Sequence, residues 1–285
     1  MPRVSVVIPA YNNSKYLRDT MRSVLAQTYV DFEIIVADHS SVDSTAEIIE
    51  SFQTSANVRV LSPTPRGGGA MENWNRVSKE ATGVWLKLVC GDDLLAADAL
   101  AKQITAIDQN PSAVMVASQR TIVDSSGRQV IAARGLADLN GLVNGRDAIR
   151  ATVRAGTNIF GEPACVLLRR DLLEATQWWT DAYPYLLDEA SYVNVLFHGD
   201  VVAIREPLAS FRVSASQWSV RLARLQSDQV ASFHRSLREI DPSLLSGTDV
   251  LVGNFKAHIN AVARRLIYLG LGKRMGDQDV VNSTT

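Results

Sequence analysis

Val4-Ser5-Val6-Val7-Ile8-Pro9-Ala10-Tyr11-Asn12 sets the reading of this chain. Val4–Ile8 is a short apolar, mostly β-branched run of the length of a buried strand, and Pro9 followed by Asn12-Asn13-Ser14 ends it and offers helix caps. Leu17, Met21, Val24 and Leu25 then recur at i, i+4, i+7 and i+8, which predicts an amphipathic helix over Lys15–Gln27. The same unit repeats. Phe32–Ala37 reads as a second strand, and Ser44-Thr45-Ala46-Glu47 has capping-box spacing before a helix that turns Ile48, Ile49 and Phe52 inward. Val58–Leu61 reads as a third strand, Gly67-Gly68-Gly69 as a loop, Met71, Trp74 and Val77 as a helix, and Val84–Cys90 as a fourth strand. The strand ends at Ile8, Ala37, Leu61 and Cys90 are 29, 24 and 29 residues apart, the size of βα units. The fold class is therefore α/β, with a largely parallel sheet flanked by helices.

Further on, Leu100, Ile104 and Ile107 mark a helix, Ala113–Ala117 a strand, and Thr121–Asp124 with Gln129–Ala132 a hairpin about Ser125-Ser126-Gly127. A helix over Arg146–Arg154, a strand at Ala164–Leu168, a helix at Asp188–His198 and two strands, Val201–Ile204 and Pro207–Arg212, follow. Ser216–Leu271 reads as helical, and the last dozen residues as a frayed tail.

Composition narrows the function classes. Hydrophobic residues make up 46% and charged residues 21% of the 285, an ordinary globular balance that excludes disorder. The 29 Lys+Arg against 30 Asp+Glu give a net charge of -1, so no global positive field recruits nucleic acid. Cys90 and Cys165 both fall in apolar stretches that read as strands, which suits reduced core thiols and excludes a disulfide scaffold. The start lacks the regions of a signal peptide and no apolar run reaches the ~20 residues of a membrane span, so the expected location is cytoplasmic, with any membrane contact peripheral, at the inner face.

In an open α/β sheet, ligands bind outside the carboxyl ends of the strands. Pro9-Ala10-Tyr11-Asn12 leave the first strand, Asp38-His39-Ser40-Ser41 the second and Gly91-Asp92-Asp93 the fourth. Asp92 and Asp93 suit Mn²⁺ or Mg²⁺, which prefer carboxylate oxygens and share their shell with phosphates; a turn or helix cap is the ordinary alternative for such a pair, and the rim position favours the metal. There is no G-x-x-x-x-G-K-[ST] loop, no G-x-G-x-x-G after the first strand, no G-x-S-x-G elbow and no H-E-x-x-H or C-x-x-C pair. Trp178-Trp179 suits either sugar stacking or core packing, and the basic residues Arg264, Arg265, Lys273 and Arg274 beside Leu266-Ile267-Tyr268-Leu269 suit a membrane, another subunit or solvent.

Longer runs carry more. Val4–Asn12, Ser23-Val24-Leu25-Ala26-Gln27-Thr28-Tyr29, and Glu33-Ile34-Ile35-Val36 through Asp43-Ser44-Thr45 resemble the amino-terminal half of family 2 glycosyltransferases of the GT-A fold. Asn73-Trp74-Asn75, Ala81-Thr82-Gly83, Asp92-Asp93, Gly161-Glu162-Pro163, Asp188 with Tyr192 and Gly199, and Glu206-Pro207-Leu208 through Phe211-Arg212 keep that family's order. The resemblance spans residues 3–218 and implies an inverting enzyme that moves a sugar from a nucleotide-sugar donor, UDP-linked by preference, to an acceptor hydroxyl. The acceptor would be a glycan, a lipid-linked sugar or a small molecule, as in cell-surface polysaccharide synthesis. It also implies a division into a nucleotide-sugar-binding half (1–125), an acceptor-binding half of the same domain (126–215) and a helical extension (216–285).

By the same resemblance Pro9, Ala10, Tyr11 and Asp38 hold the base and ribose, Asp92 contacts the ribose and shares a metal with Asp93, and Asp188 is the catalytic base. Arg66, beside the glycine loop, joins the donor-binding set, with a plain turn as its alternative. Three departures stand out. Asp38-His39-Ser40-Ser41-Val42-Asp43 replaces the family's Asp-Asp-Gly-Ser-Thr-Asp, Cys90 replaces the leading Asp of the metal motif, and Ser214 replaces a histidine. A thiol is a poor ligand for a hard cation, so metal affinity should be weak. The rival expectation, suggested by these losses, is a nucleotide-sugar-binding protein without turnover.

Overall fold

The computed structural model describes residues 1–213 and 226–271, with side chains to residue 267. β1 (Val4–Ala10) is buried along its whole length, which is why its sequence is a continuous apolar run rather than an alternation. It pairs in parallel with β2 (Phe32–Asp38) on one side and β4 (Trp85–Leu88) on the other, and β2 pairs in parallel with β3 (Val58–Val60). Between these strands run α1 (Leu17–Leu25), α2 (Thr45–Glu50) and α3 (Gly69–Lys79), α1 being two residues shorter at each end than the Lys15–Gln27 pattern suggests. Ser5, the one polar residue inside Val4–Ile8, accepts from Gly83 N at 2.8 Å and donates to Glu33 at 2.6 Å, so its hydroxyl is satisfied in the core.

The second half completes a ten-stranded sheet. After β5 (Leu94–Leu95) and α4 (Ala99–Gln109) come β6 (Ala113–Val123), β7 (Gln129–Arg134), β8 (Gly141–Val143), α5 (Gly145–Ala155), β9 (Val166–Arg169), α6 (Arg170–Ala175), α7 (Leu187–Leu196) and β10 (Asp200–Arg212). The main strand order is β3-β2-β1-β4-β9-β6-β10-β5. The sheet is mixed: β6 and β10 are parallel, but β9 runs antiparallel between β4 and β6. An apolar run as short as Val166-Leu167-Leu168 carries no directional signal, so sequence pattern could not assign that orientation. Val201–Ile204 and Pro207–Arg212 form one strand, not two, with register shifts around Pro207, which has no N–H for the ladder.

Local chemistry departs from the sequence reading at two further points and settles an open one at a third. Ser44 precedes α2 but makes no capping bond with its side chain; Asp43 accepts from Thr45 N and Ser14 N instead, each at 3.0 Å. Cys90 follows β4 and Cys165 sits in a 3-10 turn before β9, so neither thiol lies in a strand, though both are free. Trp179 is core: it is 2% exposed, donates its indole N–H to Ser78 at 2.8 Å, and meets Trp74 and Tyr192 edge-on.

Two helices, α8 (Gln226–Ile240) and α9 (Gly247–Leu271), close the described chain. α9 docks on α5 through small residues. Gly156, in the left-handed region at φ 62°, ends α5 so close to α9 that a Cβ there would lie 2.4 Å from Gly253 O. Asn260 donates to the last carbonyls of α5, Ala155 O at 3.0 Å and Gly156 O at 3.2 Å, and Arg154 pairs with Asp249 at 2.5 Å.

Candidate active site

The carboxyl ends of β1, β2 and β4 and the ends of β6 and β10 meet around one rim. Ala10 and Asp38 are neighbours in register, and Asn73 of α3 reaches over both strands, donating to Ala10 O at 3.2 Å and Ala37 O at 3.4 Å. Thr64 donates to Asn73 Oδ1 at 2.7 Å and its backbone N–H to Asp38 O at 2.7 Å, which ties the segment after β3 into the same knot. Asn73 was visible in the sequence only as part of Asn73-Trp74-Asn75; the contacts give it its role.

Pro9 and Ala10 are buried in β1, whereas Tyr11 is 57% exposed with its ring 5.8 Å from that of His39. Asp38 is buried and folded back: Ser41 N donates to its Oδ2 at 3.0 Å and Ser41 Oγ to its Oδ1. Each oxygen retains a lone pair. His39, standing where the family's second aspartate would be, bonds through Nε2 to Gly67 O at 2.9 Å. That contact brings the glycine loop to the rim, although Arg66 itself is solvent-exposed.

Beyond β4, Gly91 is required because a Cβ would meet Asn13 Oδ1 at 2.5 Å, and Asn13 in turn accepts from Tyr11 N at 2.8 Å. Asp92 and Asp93 follow. Asp93 is 1% exposed, and its carboxyl is pushed well above the usual range, first by burial and then by the charges of Asp92 and Glu162. Arg212, at the end of β10, braces the turn: its N–H donates to Asp93 Oδ1 at 3.2 Å, its Nε to Asp92 O at 3.1 Å and its Nη1 to Asp124 O at 3.3 Å, while its guanidinium lies 4.3 Å from the Tyr16 ring centre.

Asp188 sits at the second position of α7, not at its cap, which is Leu186. Its Oδ1 accepts from Glu189 N at 2.7 Å and its Oδ2 from Asn158 Nδ2 at 3.0 Å. Partial withdrawal from water raises its pKa to about 7 against those bonds, with a further push from Glu162. Glu162 is held by Arg120, whose Nη2 donates to Oε1 at 3.1 Å and whose Nε completes the ion pair. Glu189 faces the interior, bonded by Thr152 Oγ1 at 2.6 Å, with a pKa raised to about 8 by burial. The half-buried Cys90 thiol lies in the field of Asp93, Asp92, Asp188 and Glu162, which with burial push its pKa up. Residues far apart in sequence, Asp92, Asp93, Glu162 and Asp188, thus converge around one neutral thiol. A cavity of about 260 Å³, lined by Gly68, Met71, Asp181, Pro184 and Leu187 among others, links the glycine loop to the start of α7.

Asn158 and the Glu162–Arg120 pair had no assigned role from sequence; the stretch before them lacks periodicity, and their partners are 30 and 42 residues away. Ser214, Lys273 and Arg274 lie outside the described residues, as does the tail read as frayed.

The model of Glycosyl transferase family 2 matches residues 5–176. The chain belongs to that family. An uncharacterised protein of Mycobacterium tuberculosis is 31% identical over 231 residues, covering 78% of this chain and 70% of its own length. The poly(ribitol-phosphate) beta-N-acetylglucosaminyltransferase TarS of Staphylococcus aureus is 28% identical over 124 residues, 43% of this chain and only 22% of TarS. The TarS 1-349 structure in complex with UDP-GlcNAc superposes with a TM-score of 0.69 at 18% identity, over 90% of this chain and 73% of that one. A mannosyltransferase of Pyrobaculum calidifontis, in complex with GDP-Man and Mn²⁺, gives 0.62 at 16%, over 95% and 76%. The fold is thus that of GT-A glycosyltransferases, with the helical carboxyl-terminal part expected from the sequence, and the chain is a glycosyltransferase by family.

The donor set fits a divalent cation only in part. Two adjacent carboxylates, one of them buried and repelled by its neighbours, favour a positive charge between them. Among the described residues, however, no group of three or more His, Cys, Asp or Glu could hold a metal ion alone. A cation here would need oxygens from a bound diphosphate and water, a mode suited to Mg²⁺ or Mn²⁺.

Proposed function

We propose that this glycosyltransferase acts with inversion, on a UDP-linked sugar, delivering it to the hydroxyl of a glycan, lipid-linked or small-molecule acceptor. The observation that carries the reading is Asp188: a carboxylate with pKa about 7, fixed by Asn158 and by its own helix turn, on the rim shared with Asp92 and Asp93. A base poised near neutrality both exists in its ionised form and retains proton affinity. Asp188 would take the acceptor's O–H proton as that oxygen bonds to the anomeric carbon. The bond from that carbon to the diphosphate oxygen breaks with its electron pair leaving on the nucleotide, so attack from the opposite side inverts the centre.

The remaining residues bind. Tyr11 and His39 flank the place of the base, Asp38 has a lone pair left to accept from a uracil N3–H, and the loop at Arg66–Gly69 borders the diphosphate. Asp92 and Asp93 would hold a divalent cation, which when bound neutralises charge on the leaving group. TarS, bound to UDP-GlcNAc, supports the uridine preference, and its name, a poly(ribitol-phosphate) beta-N-acetylglucosaminyltransferase, supports a polymeric acceptor.

The test is release of UDP from UDP-GlcNAc, UDP-glucose and UDP-galactose, with GDP-mannose as the contrast, in the presence of Mn²⁺. We expect slow acceptor-independent hydrolysis of one UDP-sugar by the native chain, lost in Asp188→Asn while UDP still binds. UDP binding with no turnover of any donor by the native chain would favour the non-catalytic alternative, and tighter binding of GDP than UDP would remove the uridine assignment.

A further inference from the structure

α9 faces the wrong way for a helix whose large side chains should build a core. Its small residues, Gly253, Ala257 and Ala261, lie against the protein, with Gly253 packed so tightly that a Cβ would fall 2.2 Å from Val153 O. Its large apolar residues point outward: Leu251 is 71% exposed, Phe255 68%, Ile259 51%, Val262 53% and Leu266 64%. Phe255, Ile259, Val262 and Leu266 border a shallow groove of about 610 Å³ that also includes Asn254, His258 and Ala263. At 100° per residue the outward-pointing side chains, with Val252, Ala263 and Ile267, span an arc of roughly 160° centred on Ile259, with Lys256 its one charged member. A contiguous apolar face of this width on a monomer marks an interaction surface.

Charge selects the occupant. Val250–Leu271 contains no Asp or Glu, while Lys256 projects within one side of the apolar arc, between Ala263 and Ile267, and Arg265 beyond its other edge with His258 beside it. The sequence then continues with Lys273 and Arg274. A second copy packed along this face would bury Lys256 against it and bring cations together with no acidic partner on the helix, which is unfavourable for helix pairing. An anionic lipid surface meets both features at once, since the apolar face enters the acyl boundary and the cations meet headgroups. No helix among the described residues is long and apolar enough to cross a membrane, so the geometry is that of a helix lying in the interface.

We propose that α9 docks this enzyme on an anionic phospholipid bilayer through Leu251, Phe255, Ile259, Val262 and Leu266, with Lys256 and Arg265 reading the headgroups. The inference stands independently of the donor and acceptor.

Flotation of the full chain with vesicles tests it. Vesicles of phosphatidylcholine mixed equally with phosphatidylglycerol should carry the protein upward, those of phosphatidylcholine alone should carry much less, and high salt should release it. Phe255→Glu with Ile259→Glu should lower the bound-to-free ratio at least about tenfold, and Lys256→Glu with Arg265→Glu should do so for anionic vesicles. Unchanged melting temperature and UDP binding in both variants would show that the loss is of docking. Light scattering of the native chain decides the rival. A dimer made monomeric by Phe255→Glu with Ile259→Glu, in a protein that ignores both vesicle types, would overturn the proposal in favour of a second copy. A monomer that ignores both would overturn it as well.

Discussion

Asp188 owes its near-neutral pKa to burial winning over two hydrogen bonds, and this has two consequences that separate catalysis from stability. Because the base works only when ionised, kcat/KM should rise with pH through about 7 and level off above it. Asp188→Asn should bind UDP normally and lose about 10²–10⁴ in transfer rate. For stability the sign is reversed. The folded pKa lies above the ordinary 3.8, so the folded state holds the proton more tightly than the unfolded chain; that contribution is complete below about 4 and is lost as pH rises through about 7. Urea unfolding at several pH values should therefore show the native chain losing stability relative to Asp188→Asn across that window. The amide cannot accept from both Glu189 N and Asn158 Nδ2, so the variant gives up one bond at every pH. Glu189→Gln is the parallel control: Glu189 is neutral below about 8 and bonded to Thr152, so the amide should retain transfer at pH 7. Transfer lost in Glu189→Gln but retained in Asp188→Asn would assign the base to the neighbour. Asp38, Asp92 and Asp93 stand out in the sequence as polar residues at strand ends against apolar runs, whereas Asp188 is proposed through the family resemblance. Asn158 could not, since it acts through a loop with no period to mark it, and Glu162 gains its partner Arg120 only when β6 is in place beside it.

At the scale of elements, the close approach of α9 to α5 makes a measurable claim about a glycine. Gly156 and Gly141 have almost the same left-handed backbone, φ 62° and 63°, but a Cβ at Gly141 meets nothing within 4 Å whereas one at Gly156 would strike Gly253 O and Ala257 N. Gly141→Ala should cost only backbone strain, about 1 kcal/mol. Gly156→Ala should cost that plus about 1–3 kcal/mol of forced separation of the helices, read as the difference between two urea midpoints. Equal losses would mean that α9 shifts without resistance. The first four strands and the helices between them were legible because buried parallel strands are written as apolar runs and their helices as 3.6-residue stripes. The direction of β9 and the continuity of β10 through Pro207 were not, because a short apolar run looks alike in either direction and a proline in a strand reads as a break. The orientation of α9 escaped for a related reason: periodicity locates an apolar face but says nothing of which face the protein covers.

The whole molecule enters through the way the site is assembled. Its residues come from β1, β2, β4, α3, α7 and β10, elements spread across most of the sheet, so the binding geometry vanishes when the sheet unfolds. A ligand that binds only the folded state stabilises it by RT ln(1 + [L]/Kd), about 2.7 kcal/mol at 100 Kd. For a chain of this size, at about 2.1 cal/mol/K per residue, that corresponds to a rise of roughly 4–5 °C in Tm. UDP should produce a larger rise than GDP, and Mn²⁺ should enlarge the UDP effect. Asp93 tells whether the cation acts where the carboxylates converge. Its buried charge is unfavourable in the empty site, and an amide there still accepts from Arg212 N, so Asp93→Asn should melt no lower than the native chain. The same variant should show one UDP shift, with or without Mn²⁺. A Mn²⁺ increment that survives the substitution would move the cation away from Asp93, and a variant that melts lower without ligand would make Asp93 a structural brace for β10.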